Sequence, residues 1–416
     1  MQVFKFGGAS VKDANGVKNL AQILQKTDVK NTFVVVSAMG KTTNALEFVV
    51  KNYFKNKPEL QSSLQDVKKY HNQILFELFE EETHPAFKKI TVLFNELLAF
   101  LKVNKSPNYN FVYDQIVGYG ELVSSTIISE YLNTIGLKNV WIDARELIKT
   151  DDYYRQAHVD WNTTQSQISL MLSTPTLTIT QGFLGSDANN FTTTLGREGS
   201  DYTAAIFAYC LNAKSVTIWK DVPGVLNADP RYFEHPQLLE NISYREAIEL
   251  TFYGASVIHP KTLQPLQRKE IPLYVKSFLN PYGPGTQIGK NTVLKPKVAC
   301  FIVKKNQILL SISSLDFSFI VEENISEIFS LLHQYKMKVD VIQNSAISFS
   351  VCFENIYDKL APLLQQLKSK FKVTCHENVS LYTIRHYNQK AIDQIESGKT
   401  VLLKQLTPET IQIVTQ

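Results

Sequence analysis

The chain has 416 residues, of which 44% are hydrophobic and 20% charged, with 17 glycines and 15 prolines. This balance is typical of a folded protein of about two to four domains, and it excludes a disordered, collagen-like or disulfide-rich chain. The 43 basic residues nearly match the 39 acidic ones, so charge gives no reason to expect a nucleic-acid partner. The four cysteines are far apart and form no C-x-x-C pair, which argues against a zinc site or a disulfide framework.

The N-terminal sequence MQVFKF lacks a basic segment followed by a long apolar one, and no apolar run is long enough to span a bilayer. We therefore expect a cytoplasmic protein without a membrane partner.

From residue 1 to about residue 290, short β-branched runs alternate with longer amphipathic stretches. This pattern predicts strands and crossover helices around a mainly parallel sheet. The predicted strands are Val3–Phe6, Phe33–Ser37, Val140–Asp143, Leu177–Thr180, Val216–Trp219 and Leu273–Lys276.

Two helical features stand out within this region. Residues 61–103 have apolar positions at helical spacing, interrupted at His84-Pro85, which predicts an inserted helical hairpin. Ser243 and Glu246 have the spacing of a capping box, which predicts a helix over 243–253 that Gly254 ends.

The segment 280–286 is rich in turn residues and is the best candidate for a domain boundary. Beyond it, shorter strand and helix units follow one another to residue 416. They predict one or two small α+β modules, with segments at 308–312, 325–335, 347–353 and 357–371.

The first motif with chemical potential is Lys5-Phe6-Gly7-Gly8-Ala9-Ser10, at the end of the first predicted strand. Successive glycine N–H groups at a helix start can bind phosphate oxygens, and a lysine adds positive charge. The run matches neither the Walker A motif nor G-x-G-x-x-G, and a Gly-Gly turn can also be purely structural.

Two further motifs follow. Residues 37–44 come directly after the second predicted strand and are rich in small and hydroxyl side chains. In open α/β sheets, ligands bind at this end of the strands. Gly118-Tyr119-Gly120-Glu121 places a carboxylate at a helix start, where it either complements the helix dipole or binds a ligand.

The densest motif is the segment 192–205, in which hydroxyls, glycines and Arg197 precede a predicted helix. Backbone donors and a guanidinium in such a loop can hold a carboxylate or a phosphate. A fifth motif, 219–231, follows another strand; Arg231 can bind phosphates there, whereas Asp229 before Pro230 can simply shape a turn.

In this order, the runs KFGGAS, SAMGKTTNAL, GYGELVSS, TTTLGREGSDYTAA, DVPGVLNADPR and FYGASVIHPKTLQPL resemble the aspartate kinases of the amino-acid kinase superfamily. Residues 1–290 resemble the catalytic domain, and 291–416 resemble tandem ACT regulatory modules, of which the last is expected to be shortened. The resemblance implies a three-layer α/β/α fold with a mainly parallel central sheet, followed by ferredoxin-like α+β modules.

The same resemblance implies a reaction: ATP-dependent phosphorylation of the L-aspartate side-chain carboxylate to 4-phospho-L-aspartate, the first step towards lysine, threonine and methionine. The chemistry is consistent, because a carboxylate with a pKa of about 4 is ionised at neutral pH and needs no general base.

Residue roles also follow from the resemblance. Lys5 would neutralise the transferring phosphoryl group, and Asp201 would orient Lys5. Glu121 would bind the ammonium of aspartate and Arg197 its α-carboxylate. The substrate-binding set is Thr43, Glu121, Arg197 and Ser200. The nucleotide-binding set is Lys5, Gly7, Gly8, Ser10, Lys220, Asp221, Leu226, Arg231, Ser256 and Val257. No protein residue is expected to ligate a metal, since Mg²⁺ would bind mainly through ATP.

The sequence departs from the family at several of these positions. Lys220 and Leu226 stand where Thr and Tyr are usual, and Ser256 replaces a nucleotide-contacting lysine, for which Lys220 could compensate. In the tail, the effector candidates are Asp340, Ser345 and Ala346, and Ala346 replaces an acidic residue of lysine-sensitive members. We expect lysine or threonine as effector, and a homodimer or higher homo-oligomer.

Two alternatives remain. A sibling kinase could phosphorylate glutamate, acetylglutamate or a nucleoside monophosphate, although Glu121 and the GREGSDYT loop favour aspartate. A catalytically weak amino-acid sensor could retain the tail while losing ATP turnover, although the presence of Lys5, Arg197 and Asp201 argues against it.

Overall fold

The computed structural model describes residues 1–55, 57–171, 176–255, 258–316 and 318–416. They divide into two compact units. The first unit comprises 1–225, 238–248 and 257–294, and the second comprises 226–237, 249–256 and 295–416. The turn-rich segment 280–286 therefore lies inside the first unit, and the chain passes into the second after Leu294.

The first unit contains all six predicted strands. Its strands are β1 (Gln2–Phe6), β2 (Thr32–Val36), β3 (Val140–Ile142), β4 (Thr178–Gln181), β5 (Leu184–Ser186), β6 (Thr192–Thr194), β7 (Val216–Lys220), β8 (Asn241–Ser243), β9 (Leu273–Ser277) and β10 (Thr286–Gly289). Its helices are α1 (Ala14–Gln25), α2 (Thr42–Phe54), α3 (Glu59–Leu78), α4 (Pro85–Val103), α5 (Tyr109–Val117), α6 (Tyr119–Thr134), α7 (Ala144–Leu147), α8 (Trp161–Met171), α9 (Gly199–Cys210) and α11 (Pro260–Arg268); α10 (Tyr244–Tyr253) has residues in both units.

The central sheet of the first unit has the strand order β3-β4-β2-β1-β7-β9-β10-β8. Neighbouring strands are parallel except for β9 and β10, which are antiparallel. The strands β5 and β6 form a separate antiparallel hairpin. The prediction of a mainly parallel sheet is confirmed.

Helices cover both faces of this sheet. Phe4 and Phe6 of β1 belong to an apolar cluster that also contains buried residues of α1 to α6. On the opposite face the ring of Phe33 lies 4.4 Å from that of Phe207 in α9. This is the predicted three-layer α/β/α arrangement. Because side chains alternate along a strand, Lys5 lies on the α9 face.

The predicted helical hairpin corresponds to α3 and α4. The break comes before α4, where Pro85 occupies the first turn and the His84 ring accepts the N–H of Ala86 at 3.2 Å. Ser243, directly before α10, accepts the N–H of Glu246 with its hydroxyl at 3.0 Å, and Gly254 follows the helix with a φ of +117°. Within the described ranges, no helix is both long and apolar enough to cross a membrane.

The second unit is built on an antiparallel sheet with helices, as predicted for the tail. Its elements are β11 (Cys300–Ser313), α12 (Glu322–Gln334), β12 (Lys338–Asn344), β13 (Ser348–Glu354), α13 (Leu360–Lys368), β14 (Lys372–Arg385), α14 (Gln389–Glu396), β15 (Val401–Leu406) and β16 (Thr410–Thr415). The sheet order is β12-β13-β11-β14-β16-β15.

The two halves of this sheet share the long strands β11 and β14. One half, with α12 and α13, has its own apolar core and the β-α-β-β-α-β chain order of ferredoxin-like modules. The other half packs α14 against β14 and β16. The predicted α+β fold of the tail is confirmed, and shared strands, rather than a linker, join its halves.

Candidate active site

Four strand ends meet at one edge of the parallel sheet. The register pairs Phe6 of β1 with Val36 of β2 and Trp219 of β7, and Val36 with Gln181 of β4. The segments that follow these strands therefore start side by side. This is where ligands bind in open α/β sheets.

A cavity of about 380 Å³ opens at this edge. It brings together residues predicted from all five motifs of the first unit. Its lining includes Lys5, Gly7, Gly8, Ser10, Thr43, Glu121, Ser200, Asp201, Lys220 and Asp221. We call it the Lys5 cavity.

A buried ion pair lines the Lys5 cavity. The Lys5 Nζ lies 2.6 Å from Asp201 Oδ1, and the Lys220 Nζ lies 3.8 Å from Asp201 Oδ2. Burial raises the pKa of Asp201, but the charges of Lys5 and Lys220 and their hydrogen bonds outweigh it, so the pKa lies below its ordinary value. Asp201 is therefore ionised and holds two ammonium groups at the cavity.

The loop after β1 can have no side chain at Gly8. A Cβ there would lie 2.7 Å from the carbonyl oxygen of Ala38 and 2.8 Å from that of Gly40. The Ser10 hydroxyl donates to the Trp219 carbonyl at 3.2 Å, which ties the same loop to β7. The glycine thus lets the backbone pack closely around the cavity.

Glu121, in the first turn of α6, is a buried carboxyl group at the cavity wall, 3% exposed. Burial raises its pKa to about 8, although backbone hydrogen bonds from Ala38 and Glu121 and the charge of Lys5 act to lower it. Its Oε2 atom has no hydrogen-bond partner among the described residues. A buried acceptor of this kind is stabilised by a cationic donor such as an ammonium group.

A second cavity, of about 640 Å³, shares Thr43, Phe183 and Gly196 with the Lys5 cavity. The predicted residue Arg197 lines this second cavity, and so does Arg155. We call it the Arg197 cavity. Arg155 is not among the residues predicted from the sequence, in which its one signal is the charged and aromatic run Asp151-Asp152-Tyr153-Tyr154-Arg155.

Asp114, another residue that the sequence analysis missed, connects the loops around the Arg197 cavity. It is fully buried, and its Oδ2 accepts the backbone N–H groups of Arg155 at 2.9 Å and Thr194 at 2.8 Å. Its Oδ1 accepts the Thr194 hydroxyl at 2.7 Å. Burial raises its pKa to about 7 against these hydrogen bonds.

We expect Asp114→Ala to lower the free energy of unfolding by about 3 kcal/mol, because two buried N–H groups lose their acceptor. Asp114→Asn should cost less than about 1 kcal/mol, because the amide oxygen can still accept both N–H groups. Urea unfolding of the three proteins measures the difference. Equal losses for Ala and Asn would show that the charge, and not the hydrogen bonding, is what matters.

The other predicted nucleotide-binding residues are Leu226, Arg231, Ser256 and Val257. Leu226 and Arg231 belong to the second unit, where the Arg231 guanidinium pairs with Asp229 at 2.6 Å. Ser256 and Val257 are outside the described residues.

The effector candidates also belong to the second unit. Asp340 pairs with the Lys304 Nζ at 2.7 Å. The hydroxyl of Ser345 bonds that of Ser348 at 2.7 Å, and the Ala346 carbonyl accepts the N–H of Ile320 at 3.0 Å.

Comparison with known proteins decides the family. Residues 1–277 match the amino acid kinase family. The lysine-sensitive aspartokinase 3 of Escherichia coli is 32% identical over 397 residues, which cover 92% of this chain and 86% of that protein. The chain belongs to the aspartokinases of the amino acid kinase family. The predicted enzyme class, an ATP-dependent kinase of aspartate, is confirmed.

Two solved structures of E. coli aspartokinase III resemble this aspartokinase over its whole length, each at 28% identity. The T-state complex with lysine and aspartate has a TM-score of 0.83 and is covered to 95%. The R-state complex with aspartate and ADP has a TM-score of 0.77 and is covered to 96%.

Proposed function

We propose that the Lys5 cavity catalyses transfer of the γ-phosphoryl group of MgATP to the side-chain carboxylate of L-aspartate. The observation that carries the assignment of residues is the buried Lys5–Asp201 pair, which lies in one cavity with the unpartnered carboxyl of Glu121. A side-chain oxygen of aspartate attacks the γ-phosphorus, the bond from phosphorus to the β–γ bridging oxygen breaks, and ADP leaves with that electron pair.

The barrier to this reaction is charge repulsion, because an anionic nucleophile approaches a polyphosphate. The ammonium groups of Lys5 and Lys220 oppose that repulsion, since Asp201 holds both at the cavity. The helix α9 begins at the same wall, with Gly199, Ser200 and Asp201 in its first turn, and its dipole adds positive potential.

Aspartate is held at its other end. Glu121 receives the substrate ammonium, whose charge compensates the buried carboxylate. Arg197 pairs with the α-carboxylate, and Thr43 and Ser200 contribute hydroxyl groups. Glutamate is one methylene longer, so its reacting carboxylate is misplaced when the same groups hold its α end.

The nucleotide enters as its magnesium complex. Among the described residues, no three His, Cys, Asp or Glu side chains cluster closely enough to hold a metal ion, and Asp201 is committed to two lysines. Mg²⁺ would therefore be bound mainly by phosphate oxygens and water. Gly7, Gly8 and Ser10 cradle the phosphates and Lys220 and Asp221 lie beside them, whereas roles for Leu226, Arg231, Ser256 and Val257 rest on the family resemblance alone.

Trapping of the acyl phosphate with hydroxylamine tests this assignment. We expect hydroxamate from aspartate only when ATP and Mg²⁺ are present, and little from glutamate. Amino-acid binding without any hydroxamate would contradict the proposal and favour the sensor.

The proposal extends to regulation, with lysine as the effector and Asp340 as the residue that receives one of its ammonium groups. Asp340 is already paired with Lys304 at 2.7 Å, and the two side chains are 11% and 22% exposed. An incoming ammonium therefore competes with Lys304 for Asp340. Ala346 supplies no second carboxylate, so threonine is the competing candidate. The family resemblance also supports a homodimer or higher homo-oligomer.

We expect Lys304→Met to bind lysine about tenfold more tightly than the unaltered enzyme, because the internal competitor for Asp340 is removed. Calorimetric titration with lysine and with threonine measures this change. Lys305→Met is the matched control, because the Lys305 Nζ bonds the Tyr382 hydroxyl instead. Equal lysine affinity in the two variants would rule out competition at Asp340. Binding of threonine without binding of lysine would show that threonine, and not lysine, is the effector.

A further inference from the structure

We propose that Arg155 is a second recognition residue for the α-carboxylate of the substrate, and that it makes the enzyme selective for an acceptor whose α-carboxylate is free. This inference rests on the proposed function, and it assigns part of the specificity to a residue outside the predicted set.

The Arg197 cavity contains two guanidinium groups. Arg155 and Arg197 both line it. Neither guanidinium forms an ion pair or a hydrogen bond with any residue in the part of the chain that the structure describes. Arg155 is half-buried and Arg197 is exposed. Two guanidinium groups that line one cavity and have no such partner can together bind a carboxylate.

Aromatic rings fix the position of the Arg155 side chain. Its guanidinium lies over the ring of Tyr113, at 4.3 Å from the centroid, and 5.9 Å from that of Tyr109. Stacking on an aromatic face orients the plane of the guanidinium and leaves its N–H groups available at the edge. A carboxylate can then be bound without ordering a flexible side chain first.

The backbone of Arg155 is also held in place. Arg155 has a φ of +71°, in the left-handed region that residues other than glycine rarely adopt. Its N–H is held by the buried carboxylate of Asp114, which also binds the backbone of Thr194. Thr194 ends β6, and Arg197 follows three residues later. The same buried group thus anchors the loops of both arginines. Strained backbone that the surroundings enforce is typical of functional sites.

The chemistry of the acceptor fits this arrangement. Aspartate has a side-chain carboxylate that reacts and an α-carboxylate that does not. A selective enzyme must distinguish the charged α-carboxylate from a neutral group, such as an amide, at the same position. Two guanidinium groups make loss of that charge costly, because they would remain without an anion in the complex. The L-aspartate α-amide keeps the reacting carboxylate and the ammonium, and lacks only the α-charge.

The test compares L-aspartate with L-aspartate α-amide in the unaltered enzyme and in Arg155→Met, by ADP release and hydroxamate formation. We expect Arg155→Met to raise the KM for aspartate about 20-fold with little change in kcat, and to leave kcat/KM for the α-amide within about twofold. Arg155→Lys should recover part of the preference for aspartate over the α-amide, because lysine keeps the positive charge but lacks the paired N–H donors of a guanidinium.

Arg268, in the last turn of α11, provides the matched control. Arg268→Met should keep the kcat/KM of the unaltered enzyme for both aspartate and the α-amide. If Arg155→Met lowered kcat/KM equally for aspartate and for the α-amide, Arg155 would have only a structural role, and the inference would be overturned. An unchanged preference for aspartate over the α-amide would overturn it too. Absence of product from either substrate in the unaltered enzyme would instead overturn the proposed function.

Discussion

Lys5→Met should lower kcat by about a thousandfold, which is the loss typical of removing one preorganised charge from a transition state. Lys5 is 8% exposed, and its Nζ lies 2.6 Å from the ionised carboxylate of Asp201, so its position is fixed before substrates bind. The KM for aspartate should change much less, because the α end of aspartate is held by Glu121 and Arg197. Steady-state ADP release with both substrates varied measures each constant.

The same substitution leaves Asp201 buried with one more distant partner, Lys220 at 3.8 Å, and should lower stability. The double variant Lys5→Met with Asp201→Asn removes that unpaired charge, and we expect it to regain stability while remaining inactive. Lys18→Met, on the exposed side of α1, controls for loss of a lysine. Activity that returned with stability in the double variant would mean that Lys5 is only structural.

Glu121→Gln should raise the KM for aspartate about 100-fold, because the buried carboxylate that receives the substrate ammonium is neutralised. In the free enzyme the pKa of Glu121 is about 8. Aspartate binding should pull this pKa down and release a proton near pH 8. Calorimetry in buffers of different ionisation enthalpy counts that proton, and Glu121→Gln should release none. The KM for aspartate should rise in the unaltered enzyme as the pH falls below 8.

The same group makes stability depend on pH with a definite sign. The pKa of Glu121 is raised from 4.5 to about 8, so the folded state binds more protons than the unfolded state between these pH values. Stability therefore falls as the pH rises through this window. Glu121→Gln removes the effect, and relative to the unaltered enzyme its free energy of unfolding should rise by about 5 kcal/mol between pH 4.5 and 8. A difference that did not vary with pH would contradict the burial of a titrating carboxyl here.

Much of the catalytic unit could be predicted from local sequence signals. The predicted strands are short apolar runs that contain β-branched residues, and the loops after Val3–Phe6 and Phe33–Ser37 are rich in glycine or hydroxyl residues. Parallel strands bring such loops to one edge, so Lys5 and Thr43 could be expected close together, whereas the family resemblance placed Glu121 and Asp201 in the same site. The Lys5–Asp201 ion pair and the raised pKa of Glu121 could not be predicted, because both depend on burial by distant segments.

Arg155 and Asp114 show why the rest was missed. Each has an unremarkable local sequence, and their connection spans 41 residues of chain. Nothing in a single sequence indicates that a buried carboxylate binds the backbone N–H of an arginine in the left-handed conformation. In the tail, three predicted segments match α12, β13 and α13 closely, but the segment 308–312 covers only the end of β11, which begins at Cys300. The strands β11 and β14, which the two halves share, depend on long-range pairing that strand patterns do not specify.

The most direct test of the account is the identity of the hydroxamate. Unaltered enzyme, ATP, Mg²⁺, aspartate and hydroxylamine are incubated, and the α- and β-aspartyl hydroxamates are separated by chromatography. Because Glu121 and Arg197 hold the α end while Lys5 lies at the phosphoryl group, we expect the β-hydroxamate alone, and none from Lys5→Met. The α-hydroxamate, or equal product from Lys5→Met, would contradict the assignment of these residues.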